Sequence, residues 1–299
     1  MRFLDLRSDD PAVCLATEEY LLMNGPDEDI FMLWSGRPSV ICGKFQNPFE
    51  EVSLTECRKR GVEIFRRCSG GGAVYHDRGN INYTIISSRD VETGYGRFLA
   101  YAAGFLNSLG AGAYPEGNMI KMGNFKVSGN AQANSQTRVL HHGTLLFECD
   151  LDTLSELTQG SRAKFTSKAI KSNPHPVTNI RPHLTKDLSA EEFRSLFIDY
   201  MKGADTELIL DGTDMVQIGE LAETKYRTWE WNFGRTPDFS LSAGPLKAQT
   251  HRGRFTSFSV GNRDCPGMTG TRLIPEESEE ILKDLFPSTY KDILNAIYN

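Results

Sequence analysis

The most informative segment of the chain is RRCSGGGAVYHDRGNINYT, residues 66–84, which follows a short apolar segment, residues 62–65, with the composition of a β-strand. Its three successive glycines let the backbone approach a ligand closely and direct N–H groups at an anion. A neighbouring arginine can bind a carboxylate or a phosphate through two nitrogens. The segment matches neither the GxxxxGK[ST] nor the GxGxxG pattern of nucleotide-binding loops. It therefore predicts an anion-binding loop of another kind at the end of a strand.

Two further polar motifs lie downstream, FKVSGNA at residues 125–131 and HHGTLL at residues 141–146. A lysine followed by Ser and Gly, such as Lys126, can direct its ammonium group at an anion held close to the backbone. Because side chains alternate between the faces of a strand, His141 and His142 are expected to point in opposite directions. These motifs predict anion binding and do not specify the anion.

Composition and charge exclude several classes of protein. The chain has 299 residues and a formal net charge of −6, so it lacks an overall positive field, and we expect no nucleic-acid partner. Its six cysteines form no CxxC pair, which argues against a zinc ribbon or a disulfide framework and favours reduced thiols. The N-terminus is acidic and no run of about 18 apolar residues occurs, so we expect neither a signal peptide nor a membrane partner. The expected location is cytoplasmic.

The order of helical and strand patterns predicts an α+β fold with a mixed or antiparallel sheet. The strands expected at residues 30–34 and 39–42 are close enough to form a hairpin. Residues 161–182 are polar and are expected to form a long functional loop. A boundary near Pro237 is expected to separate a large domain, residues 1–237, from a small one, residues 238–299.

In their combination and order, these motifs resemble those of the lipoate–protein ligase A and lipoyltransferase family. The resemblance rests on residues 66–84, on KVSGNAQ and HHGTLL, on Val177-Thr178-Asn179, and on TWEWNFG at residues 228–234. It implies a fold like the catalytic domain of biotin and lipoate ligases, related to class II synthetases: a mixed sheet with flanking helices. A small C-terminal α/β accessory domain is expected to follow.

The resemblance also implies a two-step reaction. Lipoate and MgATP give lipoyl-adenylate and pyrophosphate, and a lysine amine of an acceptor domain then attacks the adenylate. The implied acceptors are lipoyl domains of 2-oxoacid dehydrogenase E2 subunits and the glycine-cleavage H protein. Negative charge builds on oxygen atoms in both steps, and a nearby cation stabilises it. Lys126 matches the lysine of the family and is the expected catalytic residue.

The remaining site residues are assigned by the same resemblance. The residues expected to contact the lipoyl group or its adenylate are Arg67, Ser69, Gly71, Gly72, His76, Ala131, His142 and Gly143. The residues expected to contact the nucleotide are Val74, Tyr75, Asn80, Lys126, Val177 and Thr178. An apolar slot is expected for the lipoyl chain.

The sequence departs from the family pattern in two places. Met119 follows Asn118 where the family commonly has aspartate, and a thioether is a poor ligand for Mg²⁺, which prefers oxygen. No metal ligand is assigned; Asp77 and Glu116 are the acids close enough in sequence to replace the missing one. The segment after Pro237 is also short for the accessory domain of the family. Two alternatives stay open: a lipoyltransferase that performs only the transfer step, and a non-catalytic lipoate-binding relative.

Overall fold

The computed structural model of the chain describes residues 1–89, 94–202 and 206–298. The strands, in chain order, are β1 (Arg2–Asp5), β2 (Ile30–Trp34), β3 (Ser39–Cys42), β4 (Glu63–Arg66), β5 (Val74–His76), β6 (Asn80–Ser88), β7 (Ala113–Glu116), β8 (Met119–Met122), β9 (Phe125–Asn134), β10 (Arg138–Leu146), β11 (Lys164–Ser167), β12 (Phe239–Ala243), β13 (Leu246–His251), β14 (Arg254–Val260) and β15 (Arg263–Asp264). The helices are α1 (Pro11–Asn24), α2 (Pro48–Glu51), α3 (Leu54–Arg60), α4 (Tyr95–Ser108), α5 (Leu151–Leu157), α6 (Ala190–Lys202), α7 (Gly212–Leu221), α8 (Trp229–Asn232), α9 (Pro275–Leu285) and α10 (Tyr290–Tyr298). Within these ranges no helix has the length and apolar character needed to cross a bilayer.

Three sheets organise the described part of the chain. The largest has seven strands in the order β1-β2-β6-β10-β9-β8-β7, in which β1 and β2 are parallel and the other neighbours antiparallel. A second sheet has the order β4-β3-β5, with β3 and β4 parallel. The third is antiparallel, in the order β11-β12-β13-β14-β15. The predicted α+β class with mixed sheets is confirmed.

Helices cover both faces of the seven-stranded sheet. Along β6, Tyr83 and Ile85 pack into the core formed with α4 and α6, whereas Ile86 packs into the core formed with α1 and α7. The first core includes stacked rings, with the centroids of Phe105 on α4 and Phe197 on α6 separated by 4.2 Å. The central strands are thus held rigidly from both sides, and these strands carry the polar motifs found in the sequence.

The predicted hairpin of Ile30–Trp34 with Ser39–Cys42 is wrong. Ile30–Trp34 pairs with β1 and β6 in the large sheet, whereas Ser39–Cys42 pairs with β4 and β5 in the second sheet. Both segments are buried along their whole length, so neither has an exposed face that would indicate its partner. Their pairing is therefore decided by distant strands, about which the local pattern contains no information.

The third sheet begins with a strand from the segment that was predicted to be a loop. Lys164–Ser167 pairs antiparallel with β12, although only Phe165 of this strand is buried. The ring of Phe165 lies 5.4 Å from that of Phe239, centroid to centroid, in the core of the C-terminal sheet. One apolar residue in a polar segment is too weak a signal for a strand. The sheet therefore includes residues on both sides of Pro237, and the division there stays a prediction.

Arg66, the last residue of β4, connects segments that are far apart in the chain. Its guanidinium is fully buried and donates hydrogen bonds only to neutral oxygens, namely the carbonyls of Gly43, Lys44, Gln46, Trp231 and Asn232 and the hydroxyl of Thr236. Burial, with further contributions from the charges of Arg235 and Arg67, lowers the pKa of Arg66 to about 10. The side chain thus fixes two loops against the strand that leads into the glycine loop.

Replacing Arg66→Met is expected to lower the free energy of unfolding by about 3 kcal/mol or more, because several buried carbonyl oxygens would lose their donors. Urea unfolding followed by circular dichroism measures the change. The control is Arg58→Met, which removes an exposed guanidinium paired with the exposed Glu276 and should cost less than about 1 kcal/mol. Equal losses in the two variants would show that Arg66 does not hold the loops together.

Candidate functional site

A cavity of about 350 Å³ brings the polar motifs of the sequence together. One wall is the glycine loop with β5, and another comes from β9 and β10 of the large sheet. Residues 172–177, from the polar segment that follows β11, form a third wall. The cavity thus lies where three segments that are distant in sequence meet, as an enclosed ligand site requires.

The glycine loop is tightly packed at Gly71, where no side chain can be added without strain. Gly71 has a φ of 88°, in the left-handed region that favours glycine, and a Cβ there would lie 2.8 Å from Nη2 of Arg67. The neighbouring backbone also touches Gly43, where a Cβ would lie 2.1 Å from the carbonyl oxygen of Gly71. The loop therefore has one well-defined conformation, with its backbone exposed to the cavity.

Arg67 contributes a buried positive charge to the cavity wall. Its guanidinium donates to the carbonyl oxygens of Ile41 at 3.0 Å and Gly72 at 2.8 Å and to Oγ of Ser69 at 3.0 Å. It forms no ion pair with any residue in the described ranges, and burial lowers its pKa. Its hydrogen bonds all go to neutral oxygens, and the carboxylate of Glu18 acts on it only from a distance, so an anionic ligand in the cavity would be its first direct countercharge.

Lys126 supplies a second positive charge from β9. It lies directly opposite Lys121 of β8 in the sheet register, but the two lysines differ in surroundings. Lys121 is paired with Glu116 at 2.7 Å, whereas Lys126 lines the cavity and has no carboxylate partner in the part of the chain that the structure describes. Burial, followed by the charge of Arg67, lowers the pKa of Lys126. Lys126 and Arg67 therefore form a pair of uncompensated cations in one cavity.

A chain of hydrogen bonds from α1 holds Arg67 in place. Oε2 of Glu18 lies 2.9 Å from Nδ1 of His142, and Nε2 of the same ring lies 2.6 Å from Oγ of Ser69. Ser69 in turn accepts from Nε of Arg67. Burial alone would raise the pKa of Glu18. The charge of His142 and the hydrogen bonds that Glu18 accepts outweigh this effect and lower the pKa below its ordinary value. Glu18 is thus an ionised, fully buried group that orients the site.

Sequence reasoning missed Glu18, although a signal was present. It lies on the buried side of α1, three residues after Leu15 and four before Leu22, where an acidic side chain is unusual. Trp34, the last residue of a buried apolar strand, also lines the cavity and donates from Nε1 to Glu18 at 3.1 Å. Other polar lining residues that were missed are Asn82, Asn130, Thr144 and Ser172.

His76 is buried in the cavity wall with both ring nitrogens lacking a hydrogen-bond partner among the described residues. Its ring meets that of Trp34 edge to face, at 5.3 Å between centroids. Burial, with the charges of Arg67 and His142, lowers the pKa of His76 to about 3. The imidazole is therefore neutral at physiological pH and free to bind a polar atom of a ligand.

Most of the residues predicted from the sequence line this cavity, namely Arg67, Gly71, Gly72, Val74, Tyr75, His76, Lys126, Ala131, His142, Gly143 and Val177. Three do not. Ser69 lies behind Arg67, Nδ2 of Asn80 donates to Asn82 at 2.9 Å, and Oγ1 of Thr178 lies 3.3 Å from the ring of His183. For these three the structure indicates a supporting position, whereas direct contact with a ligand stays a prediction.

Neither acid considered for a metal lies in the cavity. The carboxylate of Asp77 accepts from the backbone amides of Gly79, Asn80 and Asp150, and that of Glu116 is paired with Lys121. Glu18 is the one carboxylate among the described lining residues, and its hydrogen bonds are already made within the protein. The described residues contain no cluster of three or more His, Cys, Asp or Glu that could hold a metal ion. The side chains present therefore do not fit a protein-bound Mg²⁺.

A family model for the lipoyl protein ligase A/B catalytic domain matches residues 10–202. This match shows that the chain belongs to the lipoyl protein ligase A/B family, and the fold and the cavity agree with it. The resemblance noted in the sequence is confirmed by this match and by the relatives below.

Curated relatives are lipoate–protein ligases. The chain is 40% identical over 238 residues to lipoate–protein ligase 1 of Staphylococcus aureus, covering 78% of this chain and 73% of that protein. It is 34% identical over 252 residues to lipoate-protein ligase LplJ of Bacillus subtilis, covering 81% and 76%.

Solved structures at 28% identity show the same fold. A lipoate protein ligase of T. acidophilum with bound lipoic acid superposes with a TM-score of 0.66, covering 78% of this chain and 98% of that one. A lipoate-protein ligase A bound with ATP gives a TM-score of 0.65, covering 77% and 97%. A structure reported with the bipartite ligase of Thermoplasma acidophilum and its E2 lipoyl domain also gives 0.65, covering 77% and 95%.

The buried neutral histidine makes a prediction about pH. Because the pKa of His76 is lowered from 6.5 to about 3 in the folded state, the unfolded chain binds this proton below pH 6.5 while the folded chain does not. Stability should therefore fall as the pH drops through this window, by up to about 1.4 kcal/mol per pH unit for one proton. In the His76→Asn variant, the slope of the free energy of unfolding against pH should decrease by the amount that one proton contributes. The slope is measured between pH 7 and pH 4.

The matched control is His251→Asn, because His251 is exposed and paired with Asp238 outside the cavity. This variant should keep the pH dependence of the wild type. If His76→Asn kept it as well, His76 would be protonated in the folded protein, and the neutral imidazole described here would be wrong.

Proposed function

We propose that this chain is a lipoate–protein ligase that activates lipoate with ATP and transfers the lipoyl group to a lysine of a lipoyl domain. The observation that carries the proposal is the pairing of two uncompensated cations, Arg67 and Lys126, beside a backbone-lined glycine loop in one cavity. The relatives support it, since they are lipoate–protein ligases and the solved structures include lipoate and ATP.

In the first step, an oxygen of the lipoate carboxylate attacks the α-phosphorus of ATP, and pyrophosphate leaves. Both reacting groups are anionic, and Arg67 and Lys126 offset their repulsion and the charge that grows on the α-phosphate oxygens. The backbone of Gly71 and Gly72 is close enough to the cavity for its N–H groups to add to this effect. Mg²⁺ is expected with ATP, and since the chain offers it no free carboxylate in the cavity, the triphosphate itself would hold it.

In the second step, the neutral amine of the acceptor lysine attacks the carbonyl carbon of lipoyl-adenylate. A new C–N bond forms, the bond between the carbonyl carbon and the phosphate oxygen breaks, AMP leaves with the electron pair, and the nitrogen loses one proton to solvent as the amide forms. Lys126 faces the negative charge both on the carbonyl oxygen and on the leaving phosphate. Burial and the charge of Arg67 lower the pKa of Lys126, and the phosphate of a bound adenylate would supply the negative charge that favours the ammonium form.

The proposed acceptors are lipoyl domains of 2-oxoacid dehydrogenase E2 subunits and the glycine-cleavage H protein. The structure reported with a related ligase and its E2 lipoyl domain supports the first of these. We also place the protein in the cytoplasm, with no nucleic acid or membrane as partner. All six cysteines are free, which suits a reducing compartment.

The transfer-only alternative is favoured by one observation, the thioether of Met119 in the cavity wall where the family commonly has a carboxylate. The test is to mix the protein with lipoate, ATP and an apo lipoyl domain and to follow both pyrophosphate and the acceptor mass. A ligase should release one pyrophosphate for each lipoyl group transferred. Modification that occurs only with pre-made lipoyl-adenylate would indicate a transferase, and lipoate binding without modification would indicate a non-catalytic relative.

Lys126→Ala is expected to slow transfer from pre-made lipoyl-adenylate by at least ~10²-fold, by analogy with the loss of one oxyanion donor. The control is Lys121→Ala, because this lysine lies opposite Lys126 in the sheet but is paired with Glu116 outside the cavity. The control should keep nearly full activity. The measurement is the single-turnover rate of transfer in each variant. Comparable rates for the two variants would show that Lys126 is not catalytic.

A further inference from the structure

A second cavity lies outside the site described above, where residues 229–236 meet the hairpin of β13 and β14. Its volume is about 530 Å³, and Arg235, Arg252 and Arg254 line it. Glu230 is the one carboxylate that the described residues contribute to its lining. The cavity is therefore positively charged on a chain whose net charge is −6.

None of the three arginines forms an ion pair within the described ranges. Two acids of the neighbouring segments have other direct partners, although the charge of Glu277 also acts on Arg254 from a distance. The carboxylate of Asp238 is held at 3.0 Å by the ring of His251, and that of Glu277 is paired with Arg272 at 2.5 Å. Three guanidinium groups thus face one cavity with a single carboxylate, an arrangement that bound anionic oxygens would stabilise.

The hairpin that carries two of the arginines is fixed against the catalytic part of the chain. At Gly253 the backbone has a φ of 68°, and a Cβ would lie 3.0 Å from the ring of Trp229 and 3.1 Å from the carbonyl oxygen of Phe233. Arg252 and Arg254 flank this contact point. Their guanidinium groups are therefore presented from a packed turn, so that little order has to be gained when a ligand binds.

The surroundings of Trp229 indicate which kind of anion fits. The guanidinium carbons of Arg254 and Arg272 lie 5.1 Å and 5.6 Å from the centre of the indole, and the ring of Phe233 stacks at 6.3 Å. These contacts already engage the indole, which disfavours it as a stacking surface for a planar base. A compact ligand that presents anionic oxygens suits the three arginines better, because guanidinium groups bind phosphate oxygens in pairs.

We propose that this junction cavity is a binding site for a compact diphosphate anion, held by Arg235, Arg252 and Arg254. Pyrophosphate is the probe for this site. This choice rests on the proposed function, because adenylation releases pyrophosphate. The charge and shape of the cavity do not depend on that function.

The cavity is also connected to the glycine loop. Thr236, which lines it, accepts a hydrogen bond from Arg66 at 3.0 Å, and the same guanidinium holds the carbonyl oxygen of Gly43 beside Gly71. An anion next to Arg235 would lower the repulsion between Arg235 and Arg66. Because a ligand that binds only the folded state stabilises it, pyrophosphate should raise the melting temperature through this site.

The test is calorimetric titration of pyrophosphate into the full chain carrying Lys126→Ala, which weakens any binding in the first cavity. We expect saturable binding to one site, at least tenfold weaker when Arg235→Gln and Arg252→Gly are added. Glycine is chosen because Arg252 has a φ of 49°, a conformation that glycine adopts without strain. Lys247→Gln is the control, since Lys247 is exposed on β13 and does not line the cavity; it should bind pyrophosphate as its parent does.

Unchanged affinity in the arginine variants, or no binding in the Lys126→Ala parent, would overturn the proposal. Titrations with inorganic phosphate and with sulfate at matched ionic strength test the preference, and equal affinity for all three anions would overturn a diphosphate site. The melting temperature should rise with pyrophosphate in the parent and not in the arginine variants. If the wild-type chain lipoylated no acceptor while the Lys126→Ala chain bound pyrophosphate as expected, the proposed function would be refuted and this site would stand.

Discussion

Two adjacent guanidinium groups, those of Arg66 and Arg67, are buried at the end of β4 without an ion pair in the described ranges. Burying a cation without a countercharge is costly, and here the cost is offset by hydrogen bonds that the guanidinium groups donate to neutral oxygens. Those oxygens belong to residues 41–46, to the glycine loop and to residues 231–236. Because each segment must stay in place for the arginines to remain solvated, the conformation of the ligand-binding loop depends on the same interactions that hold the fold together.

The charge arrangement of the cavity is consistent with this constraint. Its only described carboxylate, Glu18, is hydrogen-bonded to Trp34 and His142 and forms no ion pair with Arg67 or Lys126. The buried His76 stays neutral and adds no third charge. The site therefore keeps two cations available for an anionic ligand. Leaving them unpaired lowers the free energy of unfolding, and a bound anion raises it again. Such a site binds its substrate through charge that the empty protein leaves unsatisfied.

The sequence was sufficient to predict the α+β class and most of the cavity wall, because the glycine loop and Lys126 belong to short motifs in which chemistry and local geometry coincide. Three features could not be read from it. The partners of Ile30–Trp34 are distant strands, the strand Lys164–Ser167 has one buried residue, and the sequence marks Glu18 only as an unusual acid on a helix without showing that His142 and Trp34 bind it. In each case the deciding interaction joins residues far apart in the chain, and a local pattern does not contain it.

The short C-terminal sheet is linked to the reaction site through the segment that follows β11. Ser172 accepts from Nε2 of Gln46 at 3.0 Å and from the backbone N–H of Ala73 at 3.1 Å, so it clamps the end of the glycine loop. A few residues later, the backbone N–H of Lys126 donates to the carbonyl oxygen of Pro176, and Val177 forms an isolated parallel bridge with Lys126. The same segment begins as the edge strand of the C-terminal sheet. The residues described after Pro237 do not line the cavity, but they pair with the strand that leads into one of its walls, so the position of this wall depends on the C-terminal sheet.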